Sequence, residues 1–333
     1  MRRCARCVLT ENHPNTRFNQ EGVCNYCLEF EKAEQLHRSV AERKDEFVEI
    51  LEAHRGQGEY DCLMMLSGGK NSVYALYLLR EQYKLSVLSF TFDNGFESEA
   101  ALENVRRVVD VLEVDHLYLR PTHVKRLFRF LLHSGVKPFV LCPLCKSAMN
   151  TTAWKMAKKF GIGLIISGDT KGQIVPVRPS YPGMYTQMQK TAVLLTSRKE
   201  FRPYFSTYFD TELFRSKTME KDGVRLVSPF HYMKWDGRTA TEVLEMAVGW
   251  KAPDVDYPRA ATNCLMNLVI AYTARQEYGF SFYDTEMSEL IRHGEMTRQE
   301  ALQALEAEID RDLVDRVLSR LDLSLAQVCP ANS

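Results

Sequence analysis

The sequence lacks several things that would have decided its class at once. It has no apolar run near the roughly 18 residues that a membrane-spanning helix needs, and its start, "MRRCARCVLT", has charge but no apolar stretch of the signal-peptide kind. It has no excess of either charge: 43 Lys and Arg balance 43 Asp and Glu, for a formal net charge of +0. A general electrostatic footprint for nucleic acid is therefore missing, and the basic stretch "HVKRLFRF" (123–130) reads as a solvated helix face. Internal repeats, low-complexity tracts, His-rich metal sites and a Ser/His/Asp constellation are also missing. The default expectation is a soluble cytoplasmic protein without membrane contact.

Cysteine, by contrast, is plentiful. There are nine, at 4, 7, 24, 27, 62, 142, 145, 264 and 329. An odd number with clustered spacing in a long chain points to metal or redox chemistry rather than a disulfide framework. "CARC" and "CNYC" together spell C-x₂-C-x₁₆-C-x₂-C over Cys4, Cys7, Cys24 and Cys27. Two such knuckles close a tetrahedron of thiolates around Zn²⁺ with no open position, which suits a structural site. Cys62 falls inside an apolar run and reads as core, and Cys329 lies on a polar tail.

The 333 residues suggest one large domain with appendages, or two domains. Residues 1–30 form the cysteine-rich knuckle. Residues 31–57 are charged with helical periodicity and read as an exposed connecting helix. From residue 58 to 235, short apolar runs ("YDCLMMLS", "KLSVLSFTF", "VDHLYLRP", "IGLIISG") alternate with helical segments. That alternation predicts a doubly wound α/β fold, a parallel sheet with helices on both faces. Residues 170–235 read as a long insertion over the carboxyl edge of the sheet, with a last strand or turn at "VRLVSPFHY". Residues 236–333 read as helical.

The most informative stretch is "LMMLSGGKNSVYAL", a strand, then Ser67-Gly68-Gly69-Lys70-Asn71-Ser72, then a helix. Glycines permit φ > 0 and close approach to a ligand. Free N–H groups at the helix start attract an anion. Ser67 and Ser72 add hydroxyls and Lys70 a charge. The spacing fits neither the P-loop of kinases and GTPases nor the G-x-G-x-x-G dinucleotide loop.

These residues resemble the Ser-Gly-Gly-x-Asp-Ser signature of the N-type ATP pyrophosphatases, the PP-loop family with its adenine nucleotide alpha hydrolase-like fold. The resemblance implies that the loop holds the phosphates of ATP, that a carbonyl or carboxyl oxygen is adenylated with release of pyrophosphate, and that a nitrogen or sulfur nucleophile then displaces AMP. It places adenine and ribose contacts at "TFDNG", at Phe92 and Asp93, and a second phosphate-side turn at "SGDTKGQ", with Gly168 and Asp169. Asn71 stands where the family has an aspartate that helps hold Mg²⁺ or sets the phosphate geometry. Either Asp93 or Asp169 holds the metal instead, or activity is compromised. Lys70 reads as neutralising phosphate charge in the transition state rather than as a base.

Two branches of that family bear on the nucleophile. The 4Fe–4S-dependent tRNA 2-thiolation enzymes hold their cluster with a C-x-x-C and one distant cysteine, and Cys142, Cys145 and Cys264 match that order. Thiolates suit such clusters, although Cys264 also reads as a small core residue on an apolar helix. The N-acetyl-sugar amidotransferases share the N-terminal knuckle and an ending like "IRHGEMTRQEA". The first expectation is an ATP-dependent sulfurtransferase acting on a small or carrier-bound acceptor, turning C=O into C=S, with tRNA less favoured by the neutral charge. The alternatives are amidotransfer onto a nucleotide-sugar with ammonia from a partner protein, and a non-catalytic ATP-binding protein. A sulfur donor or ammonia-supplying protein would be the partner, and the resemblance suggests a homodimer. His231, Lys234, Arg202 and the aromatics of "FRPYFSTYF" (201–209) are further pocket candidates, with a core seam under a long loop as the plainer reading.

Overall fold

A computed structural model describes residues 1–34, 40–173, 181–208, 220–253, 257–258 and 263–329. Four short apolar runs form the strands β1 (Cys62–Met65), β2 (Val87–Phe92), β3 (Asp115–Leu119) and β4 (Leu164–Ile166). They are joined by β5 (Glu220–Lys221) and β6 (Val224–Val227) into one sheet of order β3-β2-β1-β4-β6-β5. The pairings of β1, β2, β3, β4 and β6 are parallel, and only the short edge strand β5 is antiparallel. The stretch "VRLVSPFHY" is therefore a true strand in its first half, paired with β4 through Ile165 and Leu226.

Period-two alternation sends successive side chains to opposite faces, and both faces are covered. Leu63, Met65, Leu88, Phe90 and Ile165 pack on one side, and Cys62, Met64, Leu66, Val87 and Ile166 on the other. Cys62 is thus core, as its apolar neighbours imply.

The helices, in chain order, begin with α1 (Asn25–Glu34), α2 (Val40–His54), α3 (Lys70–Tyr77), α4 (Glu99–Val111), α5 (His123–His133) and α6 (Leu141–Phe160). Next come α7 (Met184–Ser197), α8 (Arg202–Tyr208), α9 (Pro229–Tyr232) and α10 (Gly237–Val248). The C-terminal part carries α11 (Met266–Tyr278), α12 (Phe282–Arg292), α13 (Arg298–Glu306), α14 (Arg311–Ser319) and α15 (Leu325–Val328). Helices α5, α6 and α11 cover one face of the sheet, and α2, α3, α4 and α10 the other. Among the described residues no helix is long and apolar enough to cross a membrane.

Two features differ from the sequence expectation. The segment 31–57 is not an exposed connector: Phe47, Ile50 and Leu51 of α2 are buried against the sheet. Their i, i+3, i+4 spacing makes an apolar stripe that the surrounding charges mask in a composition-based reading. The region 170–235 is also more regular than an irregular insertion, since it includes α7, α8 and β6.

The order β3-β2-β1-β4 reverses direction between β1 and β4, so the loops after these two strands part at their carboxyl ends and leave a crevice. The glycine loop follows β1 and the "SGDTKGQ" turn follows β4. The latter is fixed by a buried ion pair between Lys171 and Glu295, whose side chains are 7% and 0% exposed. Lys171 Nζ also donates to the Met233 carbonyl at 3.2 Å, and Trp235 N donates to Glu295 Oε1 at 3.2 Å. Removing one member of a buried pair leaves the other charge uncompensated. Lys171→Met is therefore expected to lower unfolding free energy by about 3–5 kcal/mol in a denaturant titration. A loss under about 1 kcal/mol, the level of surface pairs, would contradict this role.

Candidate functional site

The crevice opens into a cavity of about 520 Å³, within the size range of small-molecule sites. Its floor is the glycine loop. Gly68 has φ +76, and a Cβ there would fall 1.9 Å from the Ala101 carbonyl oxygen, so α4 packs against bare backbone. The need for glycine at this position comes from the protein's own packing. Gly69 precedes α3 with extended backbone and no side-chain cap. The N–H groups of the first turn, at Lys70, Asn71 and Ser72, therefore lack intrahelical acceptors and carry the positive end of the helix dipole.

The loop carbonyls, in contrast, are occupied. Trp250 Nε1 donates to Gly68 O at 3.0 Å and Asn104 Nδ2 does so at 3.3 Å. Asn263 Nδ2 donates to Ser67 O at 3.3 Å, and Ser72 Oγ donates to Gly69 O at 3.0 Å. Ser72 Oγ also accepts from Ser67 N at 3.2 Å. On the β4 side, Gly168 approaches so closely that a Cβ would sit 2.6 Å from Ser72 N and Cα. Ser67, Gly69, Lys70, Asn71, Ser72, Phe92, Gly168 and Asp169 line the cavity; Gly68 is turned away against α4. The ammonium of Lys70 lies near Gly237, where an added Cβ would be 3.2 Å from Nζ. Burial pulls Lys70 below its ordinary value, and Asp236 pulls the other way.

The two candidate carboxylates part company. Asp93 is buried outside the cavity lining. It accepts from Gly95 N at 2.7 Å and from the Tyr118 hydroxyl, and Arg120 Nε lies 3.4 Å away. Those partners occupy its oxygens. Asp169 faces the cavity, paired with Lys146 at 2.9 Å and accepting from Ser167 Oγ at 3.1 Å. Beside it, Glu286 of α12 is pushed up to about 7, first by burial and then by the nearby Asp169.

The opposite wall gathers the three dispersed cysteines. Cys142 and Cys145 sit in the first turns of α6, and Cys264 lies just before α11; all three line the cavity half-buried. Asn94 Nδ2 is 3.5 Å from Cys145 Sγ and 3.4 Å from Cys264 Sγ, so one amide serves two sulfurs. Cys142 Sγ donates to Asn267 Oδ1 at 3.1 Å. Burial pushes the Cys142 and Cys145 thiols up to about 12 and Cys264 well above its usual range. A bound metal would offset this burial and hold them as thiolates. Glu97 completes this wall.

The remaining pocket candidates lie elsewhere. Arg202 and Lys234 are exposed, and neither they nor His231 lines the cavity. Phe201 stacks on Phe130 at 4.8 Å and Tyr204 on His123 at 4.1 Å, which makes the aromatic run a packing seam. Phe209 lies outside the described residues. Sequence reasoning passed over Asn94, Glu97, Lys146 and Glu286. Asn94 and Lys146 adjoin motif residues, which was the available signal; Glu97 and Glu286 carry none.

The four N-terminal cysteines converge away from this cavity. Their sulfurs all lie within 4.8 Å of one another, with Cys7–Cys24 at 3.7 Å and Cys4–Cys27 at 4.0 Å. A tetrahedron with metal–sulfur bonds of ~2.3 Å has edges of about 3.8 Å, so the set fits a metal ion. Backbone N–H groups of Arg6, Cys7 and Cys24 point at Cys4 Sγ at 3.2–3.5 Å, as suits a thiolate.

This knuckle is docked on α12 and α13. Arg3 pairs with Asp284 at 2.5 Å, Val8 N donates to Ser288 Oγ at 3.2 Å, and Arg292 Nη1 lies 3.6 Å from Cys7 Sγ. Arg298 donates to the Cys4 and Cys7 carbonyls. Asp284, Ser288 and Arg292 are spaced by four, so they share one face of α12, while Phe282, Glu286 and Leu290 line the cavity from another.

Comparison with known proteins finds similarity in sequence and in fold. Residues 57–176 match the family model of the thiamine biosynthesis protein ThiI. That segment contains the glycine loop, Cys142, Cys145 and Asp169, and covers the first two thirds of the 58–235 region that carries the PP-loop resemblance. The uncharacterized protein MJ1599 of Methanocaldococcus jannaschii is 26% identical over 306 residues, covering 91% of this chain and 93% of that protein. Among solved structures, the NMN synthetase from Francisella tularensis aligns with TM-score 0.42 and 12% identity, over 87% of this chain and 98% of that one. The U34-tRNA thiolase NcsA from Methanococcus maripaludis, solved with its [4Fe-4S] cluster, aligns with TM-score 0.39 and 13% identity, over 92% and 89%.

If the knuckle braces α12, stripping its metal with a chelator will raise amide hydrogen exchange across residues 282–292 while β1 stays protected. Unchanged exchange in α12 after metal loss would show that the knuckle is a separate appendage.

Proposed function

We propose that this chain is an ATP-dependent sulfurtransferase. The observation that carries the reading is that Cys142, Cys145 and Cys264 share one cavity with an uncapped glycine loop. The N–H groups of Lys70, Asn71 and Ser72, with the Lys70 ammonium, hold the phosphates of ATP. The carbonyl oxygen of a small or carrier-bound acceptor attacks the α-phosphorus, the α–β bridging bond breaks, and pyrophosphate leaves. A sulfur nucleophile then attacks the activated carbon, its C–O bond breaks, and AMP departs with that oxygen. Lys70 offsets charge on the phosphates as the bond to pyrophosphate breaks. Phe92 and the buried walls shield the activated carbon from water.

Asp169 would hold Mg²⁺ with the phosphates, because Asn71 brings no charge and Asp93 lies outside the cavity lining. The three cysteines suit a 4Fe–4S cluster in donor type and line one cavity. When bound, such a cluster supplies a Lewis-acidic iron that activates sulfide. The knuckle would hold Zn²⁺ in a structural role. The partner would be a sulfur donor, and the neutral chain favours a non-tRNA acceptor.

Amidotransfer with ammonia from a partner protein is the second reading. One observation favours it: the knuckle and the "IRHGEMTRQEA" segment, both resembling the sugar amidotransferases, pack together as a unit.

Anaerobic purification followed by iron and acid-labile sulfide analysis separates the two. The sulfur reading predicts iron, sulfide and a broad visible absorbance, lost in Cys264→Ala while the knuckle keeps its metal. A chain that binds metal only at the knuckle would overturn it in favour of nitrogen.

A further inference from the structure

The cysteine-bearing wall holds a carboxylate that the proposed reaction does not use. Glu97 and Cys264 face each other in an isolated antiparallel bridge. The flanking bonds run from Ser98 N to Asn263 O at 2.8 Å and from Leu265 N to Phe96 O at 2.7 Å. Bonds in those places make Glu97 and Cys264 a non-hydrogen-bonded pair, the kind with Cα atoms only about 4.5 Å apart and side chains adjacent on one face. That face is the cavity, since both residues line it together with Cys142 and Cys145.

One oxygen of this carboxylate has been left without a donor. Glu97 Oε2 is buried and unpaired among the described residues. An unsatisfied buried oxygen of this kind costs about 1–3 kcal/mol, more if charged, and calls for an explanation. The neighbouring amide does not serve it. Asn94 spends its Nδ2 on Cys145 and Cys264 and its Oδ1 on Phe96 N at 2.8 Å. Lys146, the cation on this side, is paired with Asp169. An iron–sulfur cluster held by the three thiols would be the missing partner of Glu97 as well.

We propose that Glu97 is the fourth, oxygen ligand of a metal centre whose sulfur ligands are Cys142, Cys145 and Cys264. The proposal rests on the reading of those cysteines as iron ligands. A carboxylate is a harder and weaker partner than thiolate for iron in a sulfur-rich site. It therefore guards the position against water and stray thiols, yet yields to inorganic hydrosulfide. The tethering of Glu97 to Cys264 by the bridge keeps the displaced carboxylate beside the site, ready to return.

The test uses the full chain, reconstituted anaerobically with Mössbauer-active iron and sulfide, as wild type, Glu97→Gln and Glu97→Asp. The wild type is expected to show one iron site of more ionic character, which disappears when hydrosulfide is titrated in. In Glu97→Gln the iron content should hold, that site should shift, and hydrosulfide should bind at lower concentration. Glu97→Asp, with its carboxylate on a shorter arm, should fall between the two. Equal iron content with superimposable spectra and an unchanged hydrosulfide titration would overturn the proposal. If Glu97→Gln does not fold, the wild type decides alone: a spectrum without a distinct iron site, or one indifferent to hydrosulfide, overturns it. Absence of iron uptake by the wild type would instead refute the iron reading of the cysteines, and this proposal with it.

Discussion

The site depends on the polarity of one turn. At Ser67, Gly68 and Gly69 the carbonyl oxygens are taken by Asn263, by Trp250 and Asn104, and by Ser72. With its acceptors drawn into the protein, the turn presents donors to the cavity at the start of α3. Gly68 is what makes this possible, because only a residue without Cβ can lie against the Ala101 carbonyl with φ +76. This donor-lined turn thus follows from how α3, α4 and α10 pack, and Trp250 and Asn104, which hold the Gly68 carbonyl, lie outside the cavity lining.

A second constraint comes from the far end of the chain. Helix α12 forms part of the cavity wall, and its other face meets the four-cysteine knuckle. The buried Lys171–Glu295 pair and the contact of Gly172 on the Glu286 backbone then tie the loop after β4 to the same region. The C-terminal helix α12, remote in sequence from the glycine loop, encloses one site with it, and the knuckle backs that helix from outside the cavity. Thirty residues that could not form a core alone acquire a role through this docking.

The sheet and the loop were legible because they obey local rules. Apolar runs of strand length between amphipathic helices read as a parallel sheet, and Ser67–Ser72 declares itself by spacing. The two cysteine sets were legible by order. What escaped was tertiary. Phe47, Ile50 and Leu51 were hidden by the charges around them. Asp93 was itself an expected contact, but its side chain is held by Tyr118 and Arg120 outside the cavity lining, which nothing local announces. Glu97, Glu286 and Asn94 reach the cavity from separate elements. Cys264 gains meaning only through a bridge to residue 97.

The central claim is that the first turn of α3 binds the phosphates of ATP. Amide resonances of Gly69, Lys70, Asn71 and Ser72 in isotope-labelled protein test it directly, on titration with an ATP analogue that cannot be cleaved between its α- and β-phosphates. Large shifts are expected at these four residues and at Gly168, with the knuckle amides unmoved. Binding of the analogue that leaves the four loop amides in place would contradict it.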